Sequence, residues 1–215
     1  MKTHQIVIIG GGTGGITVAA QLLRKDSKLD IAIIEPAEKH AYQPAWTLVG
    51  AGTYDMEKTF RTEASVMPAG VKWIKEYASD IQPDDNKVVL QSGEEITYEY
   101  LVVAPGIQLD IDALPGLKDA LEQDDMVCSN YTDPEKTWKA LQAFKGGTAL
   151  FTQPATPIKC GGAPQKIMYL AAEHFDKTGV KDKTNIVFAT PGSVIFGVKE
   201  FANTLMEVVN RHRII

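Results

Sequence analysis

Residues 10–15, Gly-Gly-Gly-Thr-Gly-Gly, constrain what this chain can fold into more than any other stretch. They follow Ile6-Val7-Ile8-Ile9, a short apolar run of β-branched residues that predicts a strand buried on both faces. Residues 16–25 then carry helical spacing, with Val18, Ala19, Leu22 and Leu23 on one side. A second apolar run, Ile31–Ile34, ends on Glu35, twenty residues after Gly15. In this strand–loop–helix–strand–acid frame each glycine of Gly10-x-Gly12-x-x-Gly15 has a mechanical role. Gly10 allows the tight turn, Gly12 lets backbone approach a pyrophosphate, and Gly15 lets helix and strand pack closely. The helix N-terminus adds free N–H groups and partial positive charge. Glu35 accepts hydrogen bonds from ribose hydroxyls and repels a 2′-phosphate, so the pattern predicts a dinucleotide without that phosphate.

Residues 153–164, Gln-Pro-Ala-Thr-Pro-Ile-Lys-Cys-Gly-Gly-Ala-Pro, occupy the corresponding turn of a second unit. A strand is predicted before them at 148–152 and a helix after them from Ala163 to about Phe175. A second nucleotide site would carry closely spaced glycines here. This turn instead holds three prolines, Lys159 and Cys160, with Gly161 and Gly162 opening the helix. Cys160 has two reasons for a stabilised thiolate, the helix dipole and the adjacent lysine, and is a candidate redox nucleophile. An inert, buried small residue is the alternative, since free cysteine is among the most buried residue types.

The 215 residues accommodate one large domain or two small ones. A net charge of −5 disfavours nucleic acid as a partner, which requires a basic surface. Two cysteines, Cys128 and Cys160, rule out a disulfide-stapled scaffold. Met-Lys-Thr-His-Gln runs directly into the first strand and no apolar run spans a bilayer, so a cytoplasmic chain is expected. The histidines His4, His40, His174 and His212 lie far apart, and no metal site is expected.

Between the two turns, residues 39–54 read as an aromatic loop with His40, Tyr42, Trp46, Gly50 and Gly52. Residues 58–67 read as a short helix and 71–74 as a parallel strand. Short runs at 78–81, 87–90 and 96–98, separated by Pro83-Asp84-Asp85-Asn86 and Ser92-Gly93, read as an antiparallel meander. Another buried strand is expected at 100–104, and 107–130 reads as irregular. Asp133-Pro134 starts a helix to about Phe144. A strand at 185–190 and an amphipathic helix to about His212, marked by Phe201, Leu205, Val208 and Val209, complete the pattern. The domains predicted are 1–110 and 111–215. Because a further strand is expected at Ile214-Ile215, the chain reads as the N-terminal portion of a longer protein.

Four stretches together resemble the sulfide:quinone oxidoreductases, most of all the mitochondrial-type branch and its bacterial relatives. They are Gly10–Gly15 with Glu35, Tyr-Gln-Pro-Ala-Trp-Thr-Leu-Val-Gly-Ala-Gly at 42–52, Tyr-Leu-Val-Val-Ala-Pro-Gly at 100–106, and Thr-Pro-Ile-Lys-Cys-Gly-Gly-Ala-Pro-Gln-Lys-Ile-Met at 156–168. Phe-Gly-Val-Lys at 196–199 adds to the likeness to that branch. The resemblance implies an α/β, FAD/NAD(P)-binding Rossmann-like flavoprotein fold of two βαβ units with a small antiparallel meander, truncated in the second unit. It implies FAD held by Gly10, Gly12, Thr13, Gly14, Gly15, Glu35, Pro36, Ala104, Pro105 and Gly106. It implies that Cys160 is one of two cysteines relaying electrons from sulfide to the flavin through a persulfide, with a membrane quinone as electron acceptor and a sulfane-sulfur acceptor taking the sulfur. The partner cysteine, a second flavin-binding segment and a membrane-docking region are expected beyond residue 215, and Cys128 matches an accessory cysteine of some members. The parent is expected at the inner membrane as a peripheral protein, with a second copy of itself as a candidate partner in a homodimer.

Two rivals stand beside that expectation. An NADH:quinone oxidoreductase-like flavoprotein is disfavoured by the missing glycine fingerprint at 153–164. A noncatalytic FAD-binding or dimerisation module is the other. Disulfide reductases place paired cysteines after the second strand, where residues 36–60 contain none.

Overall fold

The computed structural model describes residues 2–215. The chain divides into two compact units, Met1–Ala41 with Phe60–Asp110 and Tyr42–Thr59 with Ile111–Ile215.

The first unit opens with β1 (Lys2–Ile9), the glycine loop, α1 (Thr13–Lys25) and β2 (Ile31–Ile34). β1 and β2 pair in parallel from Ile6 opposite Ile31 to Ile9 opposite Ile34, and all eight of these residues are buried, as the unbroken apolar runs require. After β3 (Lys39–Ala41) the chain contributes α2 (Trp46–Gly50) to the second unit. It then continues the first unit with β4 (Phe60–Thr62), α3 (Glu63–Val66), β5 (Lys72–Ile74), β6 (Ala78–Gln82), β7 (Lys87–Leu90) and β8 (Glu95–Val103). One six-stranded sheet results, in the order β5-β2-β1-β8-β7-β6. Its β5-β2-β1-β8 part is parallel and its β8-β7-β6 part antiparallel. One face buries Ile8, Ala19, Ile31 and Ile33, with Leu22 and Leu23 of α1 against them. The other buries Val7, Ile9, Ala32, Ile34, Val88, Leu90 and Ile96.

Several expectations are corrected here. The meander strand at 96–98 and the buried strand at 100–104 are one strand, β8, because β1 pairs with it along nearly its whole length. The helix expected over 58–67 shrinks to α3, since Phe60–Thr62 is taken up as β4 by antiparallel pairing with β3. Such long-range pairing overrides a local periodicity. The loop expected at 39–54 contains β3 and α2, and Tyr42–Thr59 packs with the second unit rather than the first.

The second unit continues with α4 (Leu117–Gln123) inside the stretch expected to be irregular, then α5 (Pro134–Ala143), β9 (Gly147–Thr152), α6 (Ala163–Lys177), β10 (Thr184–Ala189) and α7 (Lys199–His212). Asp133 caps α5, its side chain accepting a hydrogen bond from Lys136 N–H, and Pro134 sits where no N–H is needed. β9 and β10 pair in parallel. Ile167, Met168, Ala171, Ala172 and Phe175 recur on one face of α6 and are buried with Leu141 of α5 and Ile186 of β10. Each large side chain so buried stabilises the unit by about 1.5–3 kcal/mol. α2 rests in this unit because Gly52 leaves room for the Trp138 ring, 2.3 Å from where a Cβ would stand, and its φ of +70° suits glycine. Ile215 continues the pairing, donating to Ile186 O at 2.9 Å and accepting from Phe188 N at 2.8 Å.

Candidate active site

The glycine loop of the first unit is closed behind and open in front. Gly10 N–H donates to Ile34 O, and its φ of +103° together with an Ala104 O only 2.1 Å from a would-be Cβ leaves room for glycine alone. Gly15 is equally constrained, its Cβ position lying 1.9 Å from Gly10 O. Gly12 differs. It caps α1 in an extended conformation, and nothing lies within 4 Å of where its Cβ would be. Gly12, Thr13 and Gly14 are exposed, no acidic side chain occupies the first turn of α1, and no side chain caps it. The helix therefore presents its free N–H groups beside an open cradle that fits an anionic pyrophosphate.

The expected ribose acceptor, Glu35, is tied at both oxygens: Gly11 N–H donates to Oε2 and Ala37 N–H to Oε1, each at 2.7 Å. Trp73 Nε1 donates to the Glu35 carbonyl at 2.8 Å, and Glu35 N–H donates to Ile74 O. The carboxylate is thereby held beside the loop with lone pairs left for a ribose. Ala104 follows β8, its N–H donating to Ile9 O, and its Cβ lies 3.5 Å from the Cβ position of Gly14. Pro105 and Gly106 are exposed beyond it, Gly106 with φ of +79°, and Pro36 is half-buried next to Glu35. All the loop residues expected from the sequence thus gather in this one unit, and they fit a dinucleotide.

The thiol turn of the second unit is built otherwise. Cys160 is exposed and Cys128 partly buried, both as free thiols. The turn closes by Ala163 N–H donating to Cys160 O at 3.0 Å, and α6 begins three residues after the thiol. Gln165, buried under the turn, donates from Nε2 to Gly161 O and Ile195 O and accepts from Tyr169 O–H. Lys159, which the sequence sets beside the thiol, has partners of its own. Its ammonium donates to Gln43 Oε1 and stands 5.1 Å over the Tyr131 ring. Lys166 reaches the turn as well: its Cε lies 3.5 Å, and Cys160 Sγ 3.9 Å, from where a Gly162 Cβ would be. An open groove of about 410 Å³ adjoins Gly161, lined by Gln153, Pro191, Val194 and Phe196 among others. The exposure difference predicts that limited alkylation of the native protein at neutral pH modifies Cys160 before Cys128, read by mass spectrometry of the peptides; equal rates would remove the distinction.

Sequence reasoning missed Glu63 and His40 in the first unit. Glu63 is 2% exposed, with Oε2 3.4 Å from His40 Nδ1. Burial is the main cause holding its carboxyl above the ordinary range; His40 works against that and the Glu35 charge adds to it. A glutamate in the middle of the helix expected over 58–67 carried no sign of burial; only β3–β4 pairing puts it there. Among the described residues, no group of three or more His, Cys, Asp or Glu side chains is placed to hold a metal ion, and no helix is long and apolar enough to cross a membrane.

An open glycine loop between β1 and α1 in the parallel part of the sheet, with Glu35 fixed beside it, defines a dinucleotide-binding fold, and residues 4–145 match the pyridine nucleotide-disulphide oxidoreductase family, to which the chain belongs. The relatives it resembles are more particular. It is 48% identical over 97% of its length to the mitochondrial sulfide:quinone oxidoreductase of Mus musculus and 43% identical over 94% to that of Dictyostelium discoideum, covering 47% and 45% of those proteins. The crystal structure of the sulfide:quinone oxidoreductase of Aquifex aeolicus superposes with a TM-score of 0.77 at 28% identity, over 100% of this chain and 50% of that one. The chain spans about half the length of the curated relatives it matches.

Proposed function

We propose that the protein carrying this chain is a flavoenzyme that oxidises sulfide and delivers the electrons to a membrane quinone. The observation that carries this reading is the exposed thiol of Cys160 on the strand–helix turn where a second nucleotide fingerprint would otherwise stand. The relatives named above support the substrate class.

The first unit would hold FAD through Gly10, Gly12, Thr13, Gly14 and Gly15, with Glu35 and Pro36 at the ribose and Ala104, Pro105 and Gly106 along its open side. Bound there, FAD supplies a two-electron acceptor between the thiol chemistry and the quinone. The chain's own part is the sulfur chemistry at Cys160. In the oxidised state Cys160 is bonded to a second cysteine, which the family resemblance places beyond residue 215. Hydrosulfide attacks one sulfur of that bond, forming a new S–S bond, breaking the old one and releasing a proton. One cysteine becomes a persulfide and the other a thiolate. A nucleophilic sulfane-sulfur acceptor removes the outer sulfur, and re-forming the cysteine–cysteine bond releases two electrons. Interaction with the quinone makes the parent a peripheral membrane protein in this reading.

The purified intact protein is expected to be yellow and to bleach anaerobically with sulfide. A colourless, monodisperse protein would favour a noncatalytic module. NADH is expected not to bleach it at a useful rate, since the turn at 153–164 has prolines and a thiol instead of a pyrophosphate cradle. Rapid bleaching by NADH in stopped flow would overturn the reading in favour of a dehydrogenase.

A further inference from the structure

Glu63 is a buried carboxyl with one oxygen unaccounted for. Oε2 faces His40, whereas Oε1 is enclosed and has no hydrogen-bond partner. That oxygen lies 2.8 Å from the position a Gly11 Cβ would take, and Glu35 Cγ lies 2.6 Å from the same point. Two carboxyl groups thus converge on the residue whose N–H fastens Glu35 to the loop. Two full negative charges at this separation, one of them buried, are unfavourable beside a site for an anionic ligand.

We propose that Glu63 is a positioning residue of the dinucleotide site: enclosed behind the glycine loop beside His40, its uncharged carboxyl keeps Glu35 and the Gly11 N–H in the geometry that receives the adenosine ribose and the pyrophosphate. With its proton in place the Glu63 carboxyl adds no charge. When the proton leaves, a negative charge appears next to Glu35. It repels that carboxylate from Gly11 and opposes the ligand's phosphates. The titratable groups facing Glu63 are His40 on β3 and Glu35 after β2. Burial, the first cause of the raised Glu63 value, and the Glu35 charge make Glu63 hold its proton to higher pH than a free carboxyl does, with His40 working against them. The favourable state is therefore present at lower pH and lost as pH rises.

The inference rests on the loop's taking a flavin dinucleotide. Its test is the dissociation constant of FAD for the deflavinated intact protein, measured by flavin fluorescence from about pH 5.5 to about pH 9. Wild type is expected to lose affinity across that range by about 5–150-fold, the usual scale of coupling between sites. Glu63→Gln keeps the volume and hydrogen-bonding capacity without the charge, and is expected to lose the alkaline weakening. His40→Gln removes the neighbour that lowers the Glu63 value, so the weakening is expected to move to higher pH; this variant also carries the test should Glu63→Gln fold poorly by circular dichroism. Wild-type binding that is independent of pH, or an unchanged profile in the folded variants, overturns the inference and leaves the flavin site standing. Wild-type protein that binds no FAD at any pH overturns both.

Discussion

Gly12→Val in the intact protein is expected to abolish flavin retention while leaving the fold almost as stable as before. The structure separates these two effects because the three fingerprint glycines are constrained by different neighbours. A Cβ on Gly12 meets nothing within 4 Å, and the residue's φ of −64° is open to any side chain. The stability cost is the difference between glycine and a poor N-cap, about 1 kcal/mol. The isopropyl group would nevertheless stand in the cradle where the backbone must approach the pyrophosphate. Gly15→Ala is expected to do the reverse, since its Cβ would lie 1.9 Å from Gly10 O and force backbone apart in the sheet–helix contact. Overpacking where neighbours can move costs about 1–3 kcal/mol, and here the neighbour is hydrogen-bonded backbone. Flavin absorbance per protein after purification, together with thermal melts, distinguishes the cases. A Gly12→Val protein with normal flavin content would falsify the assignment of this loop.

Cys160→Ser in the same protein is expected to retain FAD and to lose sulfide-driven flavin reduction by at least about 10³-fold, a scale reached when a covalent nucleophile is removed. Retention follows from the architecture, because every loop residue assigned to FAD lies in the first unit and Cys160 lies in the second. The exposed site tolerates the smaller hydroxyl, whereas serine cannot form the sulfur–sulfur bond that hydrosulfide must attack. Anaerobic stopped flow at the flavin band measures the loss. Unchanged sulfide-to-quinone turnover would eliminate the thiol relay. Loss of flavin along with activity would show that the turn at 153–164 supports the first unit structurally.

What the sequence determined by itself was local. The βαβ fingerprint, the register of Glu35 after β2, the capped start of α5 and the strand–thiol–helix order at Cys160 are all contained in short windows. There, periodicity, glycine placement and capping residues act on neighbours in the chain. The family resemblance was equally legible, because it rests on contiguous motifs. The tertiary structure decided what depends on distant partners. β8 runs unbroken because β1, far earlier in the chain, pairs along it. β4 exists because β3 pairs with it, and that pairing buries Glu63 beside His40 at the glycine loop. Lys159 donates its ammonium to Gln43, 116 residues away, while Lys166 reaches the thiol turn from within α6. A side chain's charge is written in the sequence, but its counterpart is chosen by whichever groups the folded backbone brings within hydrogen-bonding distance.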